Sequence, residues 1–440
     1  MDRDLQALQE VRDCLRRTKE AQKKFYRSTQ EQVDRVCRTM VDAGLSHCQY
    51  LAELAVEETG IGRVDGKVAK NRFALQDAWD DIKDLKTVGI VSRDEARGTA
   101  EIAEPFGVVA GVIPTTNPTS TALFKILIAL KTRNGIVVSP HPRAVRCISE
   151  SCRILHEAAV RAGAPEGIIS CLTKPTLDAT QHLMKHPDTD LILATGGSAL
   201  VTAAYSAGNP AFGVGPGNVP VYVHSSADVA HAAAALVNSQ TFDNGTICCS
   251  EQSVVCDRSV AARFQQEMER FGAYFTKPAE TKMLERTCVL GDRMNPEIVG
   301  LFPAKIAERA GFQISRETTV LVVPYEGVGP KHPLSMEILT PLLTYYVVEN
   351  EEQGKRKCLE ILDYFGRGHT FCIHATDRKL IESWAYEMPV HRYLVNAPTT
   401  QGGIGLSVWQ EPSMTLGCGA YGKNISGDNI TARHLMLVKR

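Results

Sequence analysis

The chain has 440 residues, of which 22% are charged, and 49 Lys and Arg against 50 Asp and Glu leave a formal net charge of −1. This length predicts two packed α/β domains rather than one simple core. The balanced charge gives no reason to expect a nucleic-acid or membrane partner, and no apolar run approaches the roughly 20 residues that span a bilayer. Thirteen cysteines without paired CxxC spacing are typical of a reducing compartment, which predicts a cytoplasmic location.

The first ninety residues predict helices. Apolar residues between Leu5 and Leu15 recur at helical spacing, and Ser28-Thr-Gln-Glu31 has the pattern of a capping box that opens the next helix. The N-terminus Met1-Asp-Arg-Asp-Leu5 carries charged residues and lacks the apolar core of a signal peptide. We interpret this region as packing helices with one solvated face.

From Phe106 onward, short apolar runs alternate with helical stretches, which predicts a doubly wound parallel sheet. The predicted strands are 106–114, 135–140, 167–172, 190–197 and 211–215, with crossover helices at 120–131, 144–162, 177–185 and 198–207. Ligands of such sheets bind beyond the C-terminal ends of the strands. Residues 1–223 are therefore the candidate dinucleotide-binding domain.

A second α/β set follows and is predicted to form a catalytic domain over residues 224–400. Its apolar runs are 254–256, 319–324, 342–348, 370–374 and 393–396. The Gly-rich tail over 401–440 predicts irregular backbone near a site, followed by a returning segment.

The segment Thr241–Gln252 places Cys248 and Cys249 in a short Gly-containing turn directly before a β-branched run. A turn with free backbone N–H groups can lower the pKa of a thiol and stabilise an oxyanion. The segment therefore predicts covalent catalysis through sulfur. Burial of both thiols in a core is the alternative, and spacing alone does not choose between the two cysteines.

This segment resembles the nucleophile loop of the aldehyde dehydrogenase superfamily, and most closely its CoA-acylating branch, which is typified by the N-terminal half of bifunctional aldehyde-alcohol dehydrogenases. Further segments similar to that branch follow in order along most of the chain: 113–120, 131–135, 139–144, 193–197, 213–218, 401–405 and 415–419. The resemblance implies an α/β fold of the aldehyde dehydrogenase type. Its parts are a Rossmann-type cofactor domain, an α/β catalytic domain and a small β oligomerisation arm, built from strands near 92–108 and the tail 401–440.

The resemblance also implies catalytic roles for two residues. The nucleophile falls on Cys248, whose thiolate would add to an aldehyde carbonyl. The side-chain amide of Asn117 and the backbone N–H of Cys248 would then stabilise the developing oxyanion. An Asn-Pro step is also a common turn initiator, which is the alternative interpretation of Asn117.

Dinucleotide binding in this superfamily does not use the usual GxGxxG fingerprint. The resemblance implies cofactor contacts from Thr115, Ser139, His141, Arg143, Thr195, Gly196, Gly197, Gly215 and Glu337. In Thr195-Gly196-Gly197, a strand passes into a helix whose N-terminal N–H groups can approach pyrophosphate. The Glu337 carboxylate matches an acceptor of hydrogen bonds from the nicotinamide ribose. Hydrolytic relatives have Lys and Glu near His141, so the choice between NAD and NADP stays open.

Hydrolytic aldehyde dehydrogenases carry a glutamate base in a Glu-Leu-Gly-Gly-Lys motif. The matching segment here is Val214-Gly-Pro-Gly-Asn218, which puts an apolar side chain where that base stands. Attack by water should then be slow, whereas a thiol acceptor such as coenzyme A depends less on a base. His369 matches a histidine of the acylating branch and is a candidate for CoA deprotonation or phosphate contact, with a structural role as the alternative.

The resemblance therefore implies reversible oxidation of a short-chain aldehyde to acyl-CoA with NAD(P)+, through a cysteine thioester. The alternatives are an anionic aldehyde such as sulfoacetaldehyde, a hydrolytic aldehyde dehydrogenase, and an inactive structural or filament-forming relative. A homodimer or homotetramer is expected, with an alcohol dehydrogenase or a bacterial microcompartment as a further partner. Because the sequence stops at Arg440, without an iron-dependent alcohol dehydrogenase half, we expect no metal.

Overall fold

The computed structural model describes residues 3–440, so the first two residues of the domain predicted over 1–223 lie outside the described part of the chain. Its helices are α1 (Arg3–Phe25), α2 (Gln30–Ser46), α3 (Cys48–Thr59), α4 (Val64–Arg72), α5 (Ala78–Ile82), α6 (Pro118–Lys131), α7 (Val145–Arg161), α8 (Leu177–Lys185), α9 (Ser198–Tyr205), α10 (Val229–Thr241), α11 (Arg258–Arg270), α12 (Pro278–Cys288), α13 (Pro303–Ala310), α14 (Glu351–Asp363), α15 (Arg378–Glu387) and α16 (Thr399–Ile404).

The strands are β1 (Gly89–Asp94), β2 (Thr99–Pro105), β3 (Val108–Val112), β4 (Gly135–Ser139), β5 (Ile169–Cys171), β6 (Leu191–Thr195), β7 (Ala211–Val214), β8 (Val219–Val223), β9 (Glu251–Asp257), β10 (Ala273–Phe275), β11 (Val289–Leu290), β12 (Arg293–Met294), β13 (Val320–Pro324), β14 (Leu342–Val348), β15 (Gly368–His374), β16 (Val390–Val395) and β17 (Met436–Lys439).

The N-terminal region is helical, as predicted, but the capping box lies one residue later than expected. Thr29 caps α2: its hydroxyl accepts from Gln32 N at 3.3 Å, and Gln32 Oε1 accepts from Thr29 N at 2.9 Å. A glutamine can fill the third helical position as well as a glutamate can. Between α4 and α5 the helix passes through a π-helical turn, Phe73–Asp77.

The five strands predicted after Phe106 form one parallel sheet in the order β5-β4-β3-β6-β7. Because β3 is central and the chain winds first to one side and then to the other, the strand order reverses beside β3 and β6. Crevices at such reversals bind ligands in doubly wound folds. Helix α6 begins directly at this point and is buried along its whole length.

The second sheet has seven strands, in the order β10-β13-β14-β9-β8-β15-β16, and every pairing in it is parallel. It contains β8 and β10, which the sequence reading did not identify. The boundary predicted after residue 223 had assigned Val219–Val223 to the first domain, whereas this strand pairs with β9 and β15. The chain therefore passes to the second sheet one strand earlier than predicted. This could not be foreseen, because a short apolar run does not indicate which sheet it joins.

A third sheet joins residues 89–105 to the C-terminal strand. It is antiparallel, in the order β1-β2-β17, and pairs the region near 92–108 with the C-terminal tail. This is the small β arm that the resemblance implied. Within residues 3–440, no helix combines the length and the apolar character needed to cross a bilayer.

Candidate functional site

The cysteine turn, residues 242–250, follows α10 in an uncommon backbone conformation. Asp243 and Asn244 have φ angles of 50° and 53°, in the left-handed region. Residues other than glycine stay in this region only where surrounding contacts hold them. The Asp243 carboxylate accepts from Lys67 Nζ at 3.1 Å and from Lys70 Nζ at 2.6 Å. On the other side, Asn244 Nδ2 donates to Gly300 O at 2.9 Å.

Helix α4 reaches the cysteine turn because it carries Gly66. A Cβ atom at that position would lie 2.7 Å from Asp243 Cα, so no larger residue fits between the helix and the turn. Just before the helix, Arg63 N donates to Asp243 Oδ1 at 2.7 Å. The N-terminal helices therefore set the shape of the turn that carries the two thiols.

The two thiols have different surroundings. Cys249 is fully buried, and its Sγ donates to Thr400 O at 3.5 Å. Cys248 is partly exposed and packs against an apolar cluster that includes Val214. Residue 248 as a whole is therefore more open to an approaching electrophile than residue 249, although its sulfur is itself desolvated. The difference in exposure therefore favours Cys248 over Cys249 as the nucleophile.

The protonation of Cys248 differs from the sequence-based expectation. Burial raises the pKa of its thiol well above the usual value, Cys249 and Glu337 act in the same direction, and Arg392 opposes them. The expectation of a lowered thiol pKa is wrong here, because loss of water around the sulfur outweighs the nearby positive charge. A thiol that is neutral at pH 7 needs a base before it can attack.

Asn117 lies between β3 and α6, and its side chain bridges to the cysteine turn. Nδ2 donates to Thr246 O at 2.9 Å, and Oδ1 accepts from Lys70 Nζ at 2.7 Å. Since an ammonium only donates and a carbonyl only accepts, the two partners fix which way the amide points. Thr246 stands two residues before Cys248, so this contact holds the amide against the turn that carries the thiol. Among residues 3–440, the one further acceptor for Nδ2 is Thr116 Oγ1, in a long hydrogen bond of 3.3 Å.

Gly217 brings three predicted site residues together. Its N–H donates to Glu337 Oε1 at 2.9 Å. A Cβ atom here would lie 2.0 Å from Cys248 O and 3.2 Å from His369 Cγ, so only glycine permits this approach. The cysteine turn, the Glu337 loop and β15 therefore meet at the segment 214–218, where the sequence lacks the glutamate base.

Burial favours the uncharged form of both Glu337 and His369. It raises the pKa of Glu337 to about 8, although the hydrogen bond from Gly217 N acts in the opposite direction. It lowers the pKa of His369 well below the usual value, and the Arg392 cation adds to this. His369 Nδ1 lies 2.9 Å from Thr370 Oγ1, and its buried Nε2 has no hydrogen-bond partner among residues 3–440. A buried ring nitrogen without a partner is uncommon, and it marks His369 as a candidate for contact with a ligand.

Three residues predicted to bind the dinucleotide lie at the ends of adjacent strands. Ser139 ends β4, Thr195 ends β6, and Thr115 follows the central strand β3. Ser139 is buried, with its Oγ 2.8 Å from Thr180 Oγ1. Thr195 Oγ1 accepts from Lys125 Nζ at 2.9 Å. The topology therefore gathers these side chains at the reversal point of the first sheet.

The predicted glycines leave space at the same edge. Gly197 caps α9, and a Cβ atom at Gly197 or at Gly215 would meet nothing within 4 Å. A Cβ atom at Gly196 would lie 2.6 Å from Leu200 Cδ2, so a larger residue would require that leucine side chain to move. Open backbone before a helix N-terminus suits a pyrophosphate.

The remaining two predicted cofactor residues face outward. His141 and Arg143 are both exposed, and Arg143 N donates to His141 Nδ1 at 3.1 Å. Arg143 Nη1 lies 3.2 Å from Glu297 Oε1, which makes an exposed ion pair. Neither side chain contacts Cys248, Asn117 or Glu337 through any described hydrogen bond.

Sequence reasoning missed the buried cations around this site. Their side chains are at most 2% exposed: Lys67, Lys70, Lys125 and Arg392. Arg392 Nη2 donates to Gly417 O and its Nε to Thr370 Oγ1, which ties the tail to β15. In sequence, lysines three residues apart on a helix indicate a solvated face, so only the fold reveals their burial. Residues 3–440 contain no group of three or more His, Cys, Asp or Glu arranged to hold a metal.

Comparison with known proteins places the chain among characterised relatives. Residues 4–280 match the model of the aldehyde dehydrogenase family. The chain is 42% identical over 424 residues to aldehyde-alcohol dehydrogenase 2 of Entamoeba histolytica, covering 94% of this chain and 48% of that protein. It therefore spans about half the length of the curated relatives that it matches first.

Two solved structures match over almost their whole length. A crystal structure of an acetylating aldehyde dehydrogenase from Geobacillus thermoglucosidasius is 50% identical, with a TM-score of 0.98, covering 100% of this chain and 97% of that one. A propionaldehyde dehydrogenase of Rhodopseudomonas palustris with bound propionyl-CoA is 27% identical, with a TM-score of 0.89, covering 98% and 93%.

Proposed function

Because this chain belongs to the aldehyde dehydrogenase family, we propose that it is a CoA-acylating aldehyde dehydrogenase, which converts an aldehyde, CoA and NAD(P)+ reversibly to acyl-CoA and NAD(P)H. The observation that carries this proposal lies beside Cys248. By the resemblance, the buried and apolar Val214 falls where hydrolytic relatives carry their base, and we assign the nearby Glu337 carboxyl to the cofactor ribose rather than to a water molecule. An acyl group on this sulfur therefore lacks a carboxylate that would activate water.

In the first step, the Cys248 thiolate attacks the aldehyde carbonyl and forms a thiohemiacetal. Charge develops on the former carbonyl oxygen, which needs donors that are already in place. We assign this task to the backbone N–H of Cys248 and to the weakly engaged second N–H of Asn117 Nδ2. We assign removal of the thiol proton to His369, whose ring lies beside Gly217 on the same side as the Cys248 carbonyl.

A nicotinamide dinucleotide fits the open edge of the first sheet, because Gly197 and Gly215 leave the backbone accessible there. When bound, the oxidised nicotinamide supplies the hydride acceptor. Thr115, Thr195 and Gly196 would position its phosphates and ribose at the strand ends. His141 and Arg143 are exposed near the same edge and are candidates for contact with the adenosine half. Glu337 would accept from the nicotinamide ribose.

CoA then releases the acyl group from Cys248. Its thiol adds to the thioester, and a base must take the proton from that thiol. The unpartnered Nε2 of His369 is our candidate for that base. Acetylation by the Geobacillus relative and the propionyl-CoA bound to the Rhodopseudomonas relative support a short acyl chain and CoA as the acceptor.

Oligomeric state and location belong to the same proposal. We infer a homodimer or homotetramer in the cytoplasm, with the sheet β1-β2-β17 as the contact arm. The curated relatives join an alcohol dehydrogenase activity to the aldehyde dehydrogenase in one name, which supports an alcohol dehydrogenase as a functional partner.

Mass spectrometry of the products tests the function. Acetaldehyde, CoA and NAD+ or NADP+ should yield acetyl-CoA in amounts equal to the reduced cofactor. Acetate as the only product would contradict an acylating enzyme. Propionaldehyde and sulfoacetaldehyde in the same assay distinguish a short aliphatic substrate from an anionic one.

The affinity for the oxidised cofactor should rise with pH in a way that depends on Glu337. Hydroxyl groups of the ribose donate to the carboxylate and favour its ionised form, whereas burial keeps the pKa of the ligand-free group at about 8. Binding at pH 7 therefore releases a proton, and affinity should increase by up to about tenfold per pH unit until the pH passes the ligand-free pKa. Glu337→Gln cannot ionise and should bind with little pH dependence.

Isothermal titration calorimetry of wild type and Glu337→Gln between pH 6 and pH 9 measures both slopes. Repeating the titration in two buffers of different ionisation enthalpy reports the released proton directly. Equal pH dependence in the two proteins would remove Glu337 from the cofactor site.

A further inference from the structure

Lys70 is a buried cation in the middle of the candidate site. It is 1% exposed, and its ammonium group uses all three of its hydrogens. Nζ donates to Asp243 Oδ2 at 2.6 Å, to Asn117 Oδ1 at 2.7 Å and to Thr246 Oγ1 at 3.0 Å. These acceptors come from two separate segments, the turn after β3 and the cysteine turn. Lys70 therefore connects the candidate oxyanion donor to the turn that carries the nucleophile.

The charge of Lys70 is retained although the residue is buried. Burial lowers the pKa of its ammonium to about 8, and Asp243 opposes that shift. Burial would by itself raise the pKa of Asp243, but Lys67 and Lys70 together hold it below the ordinary value. At pH 7 the Asn117 oxygen therefore faces an ammonium that is mostly charged.

A cation on the oxygen of an amide changes the other end of that amide. It draws electron density toward the oxygen and makes the N–H groups stronger donors. It also excludes the flipped orientation of Asn117, in which the amide oxygen would point at the developing oxyanion and repel it. Among residues 3–440, the Asn117 oxygen has no other hydrogen-bond donor besides Lys70.

Resting on the function proposed above, we propose that Lys70 is a positioning residue for catalysis: it orients and polarises the Asn117 amide so that Nδ2 stabilises the thiohemiacetal oxygen.

Lys67 has a different task, because it donates to Thr116 O at 3.0 Å and to Asp243, without contacting the amide of Asn117. Asp243 keeps Lys67, Arg63 N and Thr246 Oγ1 as donors when Lys70 is replaced. The cysteine turn should therefore keep most of its support in a Lys70 variant.

The experiment is a double-mutant cycle on Lys70→Met and Asn117→Ala, read out as the single-turnover rate of NAD(P)H formation. Lys70→Met should lower this rate by about 10- to 100-fold, with a much smaller change in the KM for aldehyde. If Lys70 acts through Asn117, the double variant should be within about twofold of Asn117→Ala alone. Losses that multiply in the double variant would overturn the proposal, because they would mean that the two residues act independently.

Lys131→Met is the matched control. Lys131 is equally buried and pairs with Asp34 at 2.5 Å, but it lies at the opposite end of α6 from Asn117. Its loss should lower the thermal unfolding temperature without slowing hydride transfer. Lys70→Gln is the second variant, since its uncharged amide can still donate to Asn117 and should give an intermediate rate. A rate for Lys70→Gln equal to wild type would count against polarisation.

The same data separate this inference from the function on which it rests. Wild-type protein that forms no acyl-CoA would overturn both. An active wild type with a slow Asn117→Ala variant and a multiplicative cycle would overturn only the role of Lys70.

Discussion

Cys248→Ala should abolish acyl-CoA formation while leaving cofactor binding nearly unchanged. A covalent thioester needs a sulfur that the aldehyde can reach, and the neighbouring thiol of Cys249 is fully buried, with its Sγ donating to Thr400 O. Alanine removes the nucleophile and keeps the backbone N–H of residue 248. Steady-state NAD(P)H formation with CoA present measures activity, and calorimetry measures the retained affinity for the cofactor.

Cys249→Ala is the matched control and should keep much of the wild-type rate. Alkylation followed by mass spectrometry of enzyme treated with aldehyde and NAD(P)+, without CoA, locates the acyl group on one of the two sulfurs. An acyl group found on Cys249 would contradict the assignment of Cys248 as the nucleophile.

Asn117→Ala should lower turnover by roughly 10²–10³, the usual loss when one oxyanion donor is removed. The amide acts on charge that exists only in the transition state, so affinity for the cofactor should change little. Because Asn117 Nδ2 also donates to Thr246 O, the thermal unfolding temperature should be measured alongside the rate. A variant with near-normal turnover would reduce Asn117 to a turn former ahead of α6.

The fold could be predicted largely from short-range patterns. Each strand of the first sheet is a short apolar run that is followed shortly by a proline or a glycine, and such runs are recognisable without knowing their partners. Pairing is different, because it depends on contacts far apart in the chain. The run Val219–Val223 resembles the strands before it, yet it pairs with β9 and β15 in the second sheet.

The residues of the candidate site also differ in how far the sequence could predict them. Cys248, Asn117 and Glu337 lie in segments that carry the family resemblance, so the sequence could propose them as site residues. Lys70 could not be assigned, because its burial depends on Gly66, which allows α4 to approach Asp243 across more than 170 residues of sequence. The direction of the Cys248 pKa shift was missed for the same reason, since it follows from how many groups pack around the sulfur.

The most direct test of an acylating enzyme is the progress curve recorded without CoA. Wild-type enzyme, aldehyde and NAD(P)+ should give about one NAD(P)H per active site and then nearly stop, because the Cys248 thioester has no activated water to release it. Addition of CoA should restart turnover and release acyl-CoA. Sustained turnover without CoA, with free carboxylate as the product, would contradict the acylating function and favour a hydrolytic aldehyde dehydrogenase.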